Sequence, residues 1–160
     1  MGKIRNNFSS FHDVWLIIEI SCFVTVLPLF MRFSSLPTMM RTLTPDCKEG
    51  KDNQQRDTTA GKIIKYTEYV LNRNFWIYKR TCLKRSLTLY YFLRRAGINT
   101  QIFFGVRFDN NQAQSRVEKE FQAHAWLVLD GKMYLEKHPV LTQFYKKTYC
   151  YPEEGQHDFG

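Results

Sequence analysis

No pair of cysteines in this chain stands at metal-ligand spacing. The four, Cys22, Cys47, Cys82 and Cys150, are widely separated, which argues against zinc-finger-like sites, and the intervals suggest no disulfide framework. That usage fits a reducing compartment, the cytoplasm, where Cys82 stays a thiol. There is also no RNA-binding motif and no long basic run, so nucleic acid is the weakest partner for a chain of net charge +8. An anionic membrane and an acidic peptide remain. No internal repeat is present, and none of the chemistry read below asks for a metal or an organic cofactor.

Aromatic residues, by contrast, are plentiful. Thirteen Phe and nine Tyr in 160 residues supply ample material for the core of one domain. The strongest hydrophobic run is Val14 to Met31, VWLIIEISCFVTVLPLFM. It approaches the roughly 20 apolar residues of a membrane span, but Glu19 and Pro28 lie within it. Lys3 and Arg5 precede it as in a signal peptide, yet His12 and Asp13 intervene and no small-residue cleavage site follows. Three readings stay open: a helix packed on the core, a membrane contact, and a signal peptide. A short helix is expected around Met39. Residues 46–60 are polar without apolar period and read as a linker, and 61–72 as a helix. The expected division is therefore 1–60, apolar helix and linker; 61–150, catalytic core; and 151–160, a frayed tail.

Thr81-Cys82-Leu83-Lys84-Arg85-Ser86-Leu87 reads as a helix start with a cysteine in its first turn. Thr81 is the expected N-cap, and Leu83, Leu87 and Tyr90 recur at helical spacing. Gly97 stands where a C-terminal cap belongs, with Arg94 and Arg95 in the last turn, where cations suit the dipole. Lys84 and Arg85 sit at the opposite end, which prefers anions. A thiolate at Cys82 resolves that conflict, since helix N-terminus and cations both lower a thiol pKa. A small buried cysteine beside a solvated basic face is the alternative.

Two strands follow, Thr100 to Phe108, with Gly105 marking a bulge or a close backbone approach, and Phe121 to Leu129. Residues 109–119 form a long polar connection. Asp130-Gly131 makes a turn, and Lys132 to Glu136 returns as a third strand. With a three-residue loop, residues 128 and 132 pair and His124 faces Glu136; a two-residue loop puts Glu136 on the opposite face. Cys82, His124 and Glu136 then form a nucleophile, base and orienting carboxylate. His138 is the rival base, and Asp130 the rival carboxylate. Trp76, six residues before Cys82, reads either as an oxyanion donor alongside the Cys82 backbone N–H or as a core tryptophan.

Cys82-Leu83-x-x-Ser86-Leu87, Leu93-Arg94-Arg95-x-Gly97-Ile98, Gly105-Val106 and Ala123-His124-Ala125-Trp126 together resemble one family. It is the transglutaminase-like cysteine peptidases of lasso-peptide biosynthesis, the leader-removing B proteins. The resemblance spans residues ~61 to 137 and extends loosely to the apolar helix. It departs at Glu136, where the family usually has aspartate. What it implies is an α+β, transglutaminase-like or papain-like core, with the nucleophile on a helix N-terminus packed on an antiparallel sheet. It also implies a cysteine peptidase that cuts a lasso precursor peptide between leader and core. The expected partners are that precursor, a separate leader-recognition protein and the ATP-dependent cyclase that closes the macrolactam. Acyl transfer to an amine, and a non-catalytic basic module on a membrane, are the competing functions.

Overall fold

The computed structural model describes residues 11–45, 53–73, 81–109 and 120–152. Its contacts divide the chain into two compact units, Met1–Asn99 and Thr100–Gly160. The first is helical and the second is built on an antiparallel sheet.

The helical unit contains α1 (Phe11–Phe33), α2 (Leu36–Leu43), α3 (Asn53–Leu71) and α4 (Cys82–Arg95). α1 contacts α2, α3 and α4, and α3 contacts α4. Ile20, Val24 and Leu27 recur at helical spacing along α1 and are buried. Phe23 stacks on Tyr91 of α4 at 4.7 Å between ring centroids and meets Phe92 edge-on. Both carboxylates of α1 are paired with cations of other helices. Asp13, buried, accepts from Lys62 of α3 at 2.9 Å, and Glu19 accepts from Arg95 of α4 at 3.0 Å. α1 is thus a packed helix, as one of its three readings requires. It is also long and apolar enough, by length and composition, to cross a membrane.

α3 begins earlier than its apolar pattern suggests. Residues 53–60, read above as linker, form its first turns, while 46–52 lie outside the described residues. Gln and Arg are good helix formers, and the Thr58 and Thr59 hydroxyls donate to the carbonyls of Gln54 and Gln55 one turn back. Ala60 is buried at the end of this segment, an anchoring contact too small to register as a period.

The sheet unit contains β1 (Gln101–Asp109), β2 (Glu120–Leu129), β3 (Lys132–Tyr134), α5 (Pro139–Thr142) and β4 (Lys146–Tyr151), in strand order β3-β2-β1-β4. All pairs are antiparallel, so the chain is α+β as expected. β4 is a fourth strand beyond the three that the sequence pattern predicts, formed in the tyrosine-rich segment 144–151. One face of the sheet carries Phe103, Trp126 and Val128, with Tyr145 and Cys150 packed against them. Ala125, Leu127 and Ile102 are buried as well, on the alternate positions of β2 and β1.

Candidate active site

Cys82 opens α4, and both ends of that helix are specified locally. The Thr81 backbone is extended, and its hydroxyl oxygen accepts from the Lys84 N–H at 3.2 Å. Cys82 and Leu83 therefore occupy the first two helical positions, whose amides point out of the helix end. At the other end, Ile98 N–H donates to the Leu93 carbonyl and Gly97 N–H to that of Arg94, a Schellman cap with Gly97 at φ 85°. Arg94 is buried, donating to Asn99 at 2.7 Å, and Tyr90 meets the Thr44 hydroxyl at 2.9 Å. Leu87, Leu89, Tyr90 and Leu93 are fully enclosed. The helix that carries Cys82 is fixed at both ends and along its length.

One first-turn cation, Arg85, is placed differently from the expectation. Arg85 donates to Glu68 of α3 at 2.7 Å, with both side chains largely buried. A carboxylate thus answers Arg85, and its charge does not by itself call for a thiolate. Cys82 is half-buried and, like Cys22 and Cys150, is in no disulfide.

In the sheet unit, His124 sits on β2 opposite Gly105 of β1, on the face that carries Trp126. Its ring lies 5.9 Å from Trp126, stacked, and 5.2 Å from Tyr145. The close approach expected at Gly105 is real. A Cβ there would stand 2.8 Å from the Trp126 ring and 3.0 Å from the Lys146 carbonyl oxygen, and the β1–β4 register shifts between Phe104 and Gly105. Only glycine lets Trp126 lie where it supports His124.

His124 Nε2 and Glu136 Oε2 are 3.2 Å apart. The contact is the one expected, but not the way to it. Asp130 and Gly131 both have positive φ, 50° and 73°, and Leu129 pairs with Lys132, a two-residue type I′ hairpin. Continued in that register, Glu136 would oppose Ala125 on the other face. Instead β3 ends at Tyr134, because Leu135 takes φ 58°. That single left-handed residue turns the chain and returns Glu136 to the His124 side. Glu136 Oε1 then accepts from the backbone N–H groups of Lys137, at 3.0 Å, and His138, at 3.3 Å. His138 thus contributes its amide to the carboxylate, and its side chain is not the group that Glu136 meets.

With Glu136 ionised and the ring neutral, Nε2 carries the ring proton and its N–H donates a hydrogen bond to Oε2. Nδ1 is then the acceptor nitrogen, so the pair fixes both tautomer and ring direction. Trp76 lies outside the described residues. Tyr145, which also donates from its hydroxyl to Gln122 at 3.3 Å, was missed in the sequence, where nothing but local aromatic enrichment marks it. Among the described residues no cluster of three or more His, Cys, Asp or Glu is arranged to hold a metal.

Residues 23–149 match the family model described as the Transglutaminase-like superfamily. The chain belongs to that superfamily. Neither a curated protein nor a solved structure matches it. The superfamily includes cysteine peptidases and acyltransferases and typically works by cysteine-based catalysis. The match begins inside α1 and ends inside β4, so it takes in Cys82, His124 and Glu136.

Proposed function

We propose that this transglutaminase-like protein is a cysteine peptidase that removes the leader from a lasso-peptide precursor, with Cys82, His124 and Glu136 as its triad. The observation that carries the reading is the His124–Glu136 pair, held by two backbone amides, in a chain of a cysteine-based superfamily. His124 Nδ1 takes the proton of the Cys82 thiol, and the thiolate attacks the scissile carbonyl carbon. Glu136 holds the ring and stabilises the imidazolium that forms. The Cys82 backbone N–H donates to the oxyanion from the first turn of α4, with Trp76 as a further candidate donor. The imidazolium returns its proton to the departing amine, and water, deprotonated by His124, releases the acyl group.

The precursor is bound with the help of a separate leader-recognition protein, and the freed core passes to an ATP-dependent cyclase. The motif resemblance supports these partners. The cysteine spacing, which suggests no disulfide framework, supports a reducing compartment, the cytoplasm, as the place where Cys82 works. Because the superfamily also holds acyltransferases, an amine in place of water is the second reading.

Mass spectrometry of a precursor incubated with the protein and its leader-binding partner decides between them. Leader and core that together gain one water indicate hydrolysis, whereas an acyl–amine product indicates transfer. Cys82→Ala abolishes either product while the circular dichroism spectrum is kept, and Cys22→Ser, Cys47→Ser and Cys150→Ser remain active. Cleavage by Cys82→Ala at an appreciable fraction of the parent rate would refute the mechanism.

A further inference from the structure

α1 has two apolar sides, and among the described residues only one is covered. Ile20, Val24 and Leu27 face the other helices. Phe11, Trp15, Ile18, Val26, Leu29 and Phe33 are exposed, Phe11 and Phe33 by more than three quarters of their surface. Their spacing of three and four residues, with exposed Cys22 between Ile18 and Val26, makes one continuous stripe along the whole helix. A helix apolar all round belongs between two apolar surroundings, and the protein supplies one. The stripe is larger than the scattered single exposures that any surface carries.

We propose that this stripe lies in the plane of an anionic lipid surface, with α1 resting on the bilayer and not crossing it. Crossing is opposed by the covered side. It would draw the Asp13–Lys62 and Glu19–Arg95 pairs, and the polar helices that hold the cations, into hydrocarbon. Lying flat leaves both pairs and the buried face undisturbed.

Charge selects the surface. Met1–Asn99 carries sixteen Lys and Arg against seven Asp and Glu, a net +9, while Thr100–Gly160 carries seven against eight, a net −1. The entire basic excess therefore belongs to the unit that bears the stripe. An anionic leaflet attracts such a unit, whereas a second copy, equally basic, repels it. Arg32, exposed in the last turn of α1, is placed on this helix to meet a lipid phosphate, while Arg95, half-exposed beside Trp15, keeps its pair with Glu19. The proposal is independent of the peptidase reading, and its test reads no cleavage.

The experiment is co-sedimentation of the full chain with vesicles of phosphatidylglycerol and phosphatidylcholine, or of phosphatidylcholine alone. The protein binds the mixed vesicles, binds less as salt rises, and ignores the zwitterionic ones. Ile18→Asp and Leu29→Asp, both at exposed positions, each lower partition by about tenfold or more, the scale of one lost buried aliphatic side chain. Circular dichroism checks that they fold. In the unaltered chain, brominated lipid quenches tryptophan fluorescence, and Trp15→Phe removes that quenching. No binding to the mixed vesicles, binding unaffected by both substitutions, or quenching that survives Trp15→Phe overturns the proposal. So does retention in the membrane after an alkaline carbonate wash, which means a span. A soluble dimer dissociated by the same substitutions means that a second copy covers the stripe, and it too overturns the proposal.

Discussion

The helical unit holds Cys82 by regularity, whereas the sheet unit holds His124 and Glu136 by departures from it. α4 starts at a threonine cap, ends in a Schellman motif and buries a helical stripe between. Every one of those devices is local and redundant, so losing one leaves the others. The histidine site depends on a glycine that admits Trp126, a bulge beside it, and one leucine in the left-handed region. These are single points of failure. The contrast implies that substitutions in the sheet unit damage chemistry out of proportion to stability, and that those in the helical unit do the reverse.

Within the sheet unit, the largest effect is expected at Glu136. Glu136→Gln keeps the shape but has one acceptor oxygen for a site that uses two, one toward His124 and one toward the Lys137 and His138 amides. Either the ring or the amide pair then faces an NH₂ donor. Single-turnover cleavage should fall roughly 10–10³-fold, less than for a serine triad because a thiol needs less help from its base. Glu136→Asp, which keeps the charge and both oxygens, should retain more activity than Glu136→Gln. Parent-like cleavage by Glu136→Gln would remove this residue from the mechanism. Asp130→Asn, in the hairpin turn, should leave the rate close to parent.

Next comes Leu135. Leu135→Val forces a β-branched residue to φ near +58°, where L-residues pay about 1–2 kcal/mol and branched ones more. The chain escapes that strain most easily by relaxing toward a regular strand, which carries Glu136 to the other face. Cleavage should therefore fall by an order of magnitude or more, as for Glu136→Gln, beyond what the loss of stability explains. Leu135→Gly, which tolerates the same φ, should restore the rate. If Val and Gly behave alike, the left-handed turn is not what places the carboxylate.

That residue also marks the limit of what could be read from the sequence. Thr81, Gly97 and the spacing of Leu83, Leu87 and Tyr90 announced α4 because caps and periodicity act within a few residues. Gly105 announced a close approach, though not that Trp126 makes it. The His124–Glu136 pairing was foreseen through the wrong hairpin register. Asp-Gly favours the two-residue turn that formed, and nothing in Leu135 signals a left-handed residue, which is uncommon outside glycine, asparagine and aspartate. The start of α3 was missed because its first turns are held by polar helix formers and small contacts. The Arg85–Glu68 and Asp13–Lys62 pairs join residues 17 and 49 apart, beyond any local pattern.

Gly105→Ala is the next step down. Its Cβ meets the Trp126 ring at 2.8 Å and a backbone oxygen at 3.0 Å, so strand or ring must shift. Overpacking of this kind costs about 1–3 kcal/mol. A displaced Trp126 also loosens His124, so the thermal midpoint should fall and the cleavage rate should fall further than that loss of stability explains. Trp126→Phe paired with Gly105→Ala relieves the clash, and the midpoint should recover in the double variant relative to Gly105→Ala alone. No recovery would mean that the Lys146 carbonyl, not the indole, sets the constraint.

The smallest effect belongs to the helical unit and shows only in alkali. Asp13 raises the Lys62 pKa above 10.5, chiefly through the hydrogen bond between them, and burial followed by Asp13 raises Tyr66 above 10.0. Both groups hold their protons more tightly in the folded chain than in the unfolded one. Their contribution to stability is therefore complete below about pH 10 and is lost as pH rises through the folded values. Lys62 is 42% exposed, so water screens much of its share. Asp13→Asn removes the Lys62 shift and leaves the burial part of the Tyr66 shift. Thermal unfolding followed by helical circular dichroism, from about pH 8 to pH 11, should fall less steeply for Asp13→Asn than for the parent. The apolar face of α1 still packs in the variant, so near neutrality the two midpoints should differ little. Identical alkaline slopes would show that Asp13 does not clasp Lys62 and Tyr66 in solution, and that the apolar contacts alone hold α1 to α3.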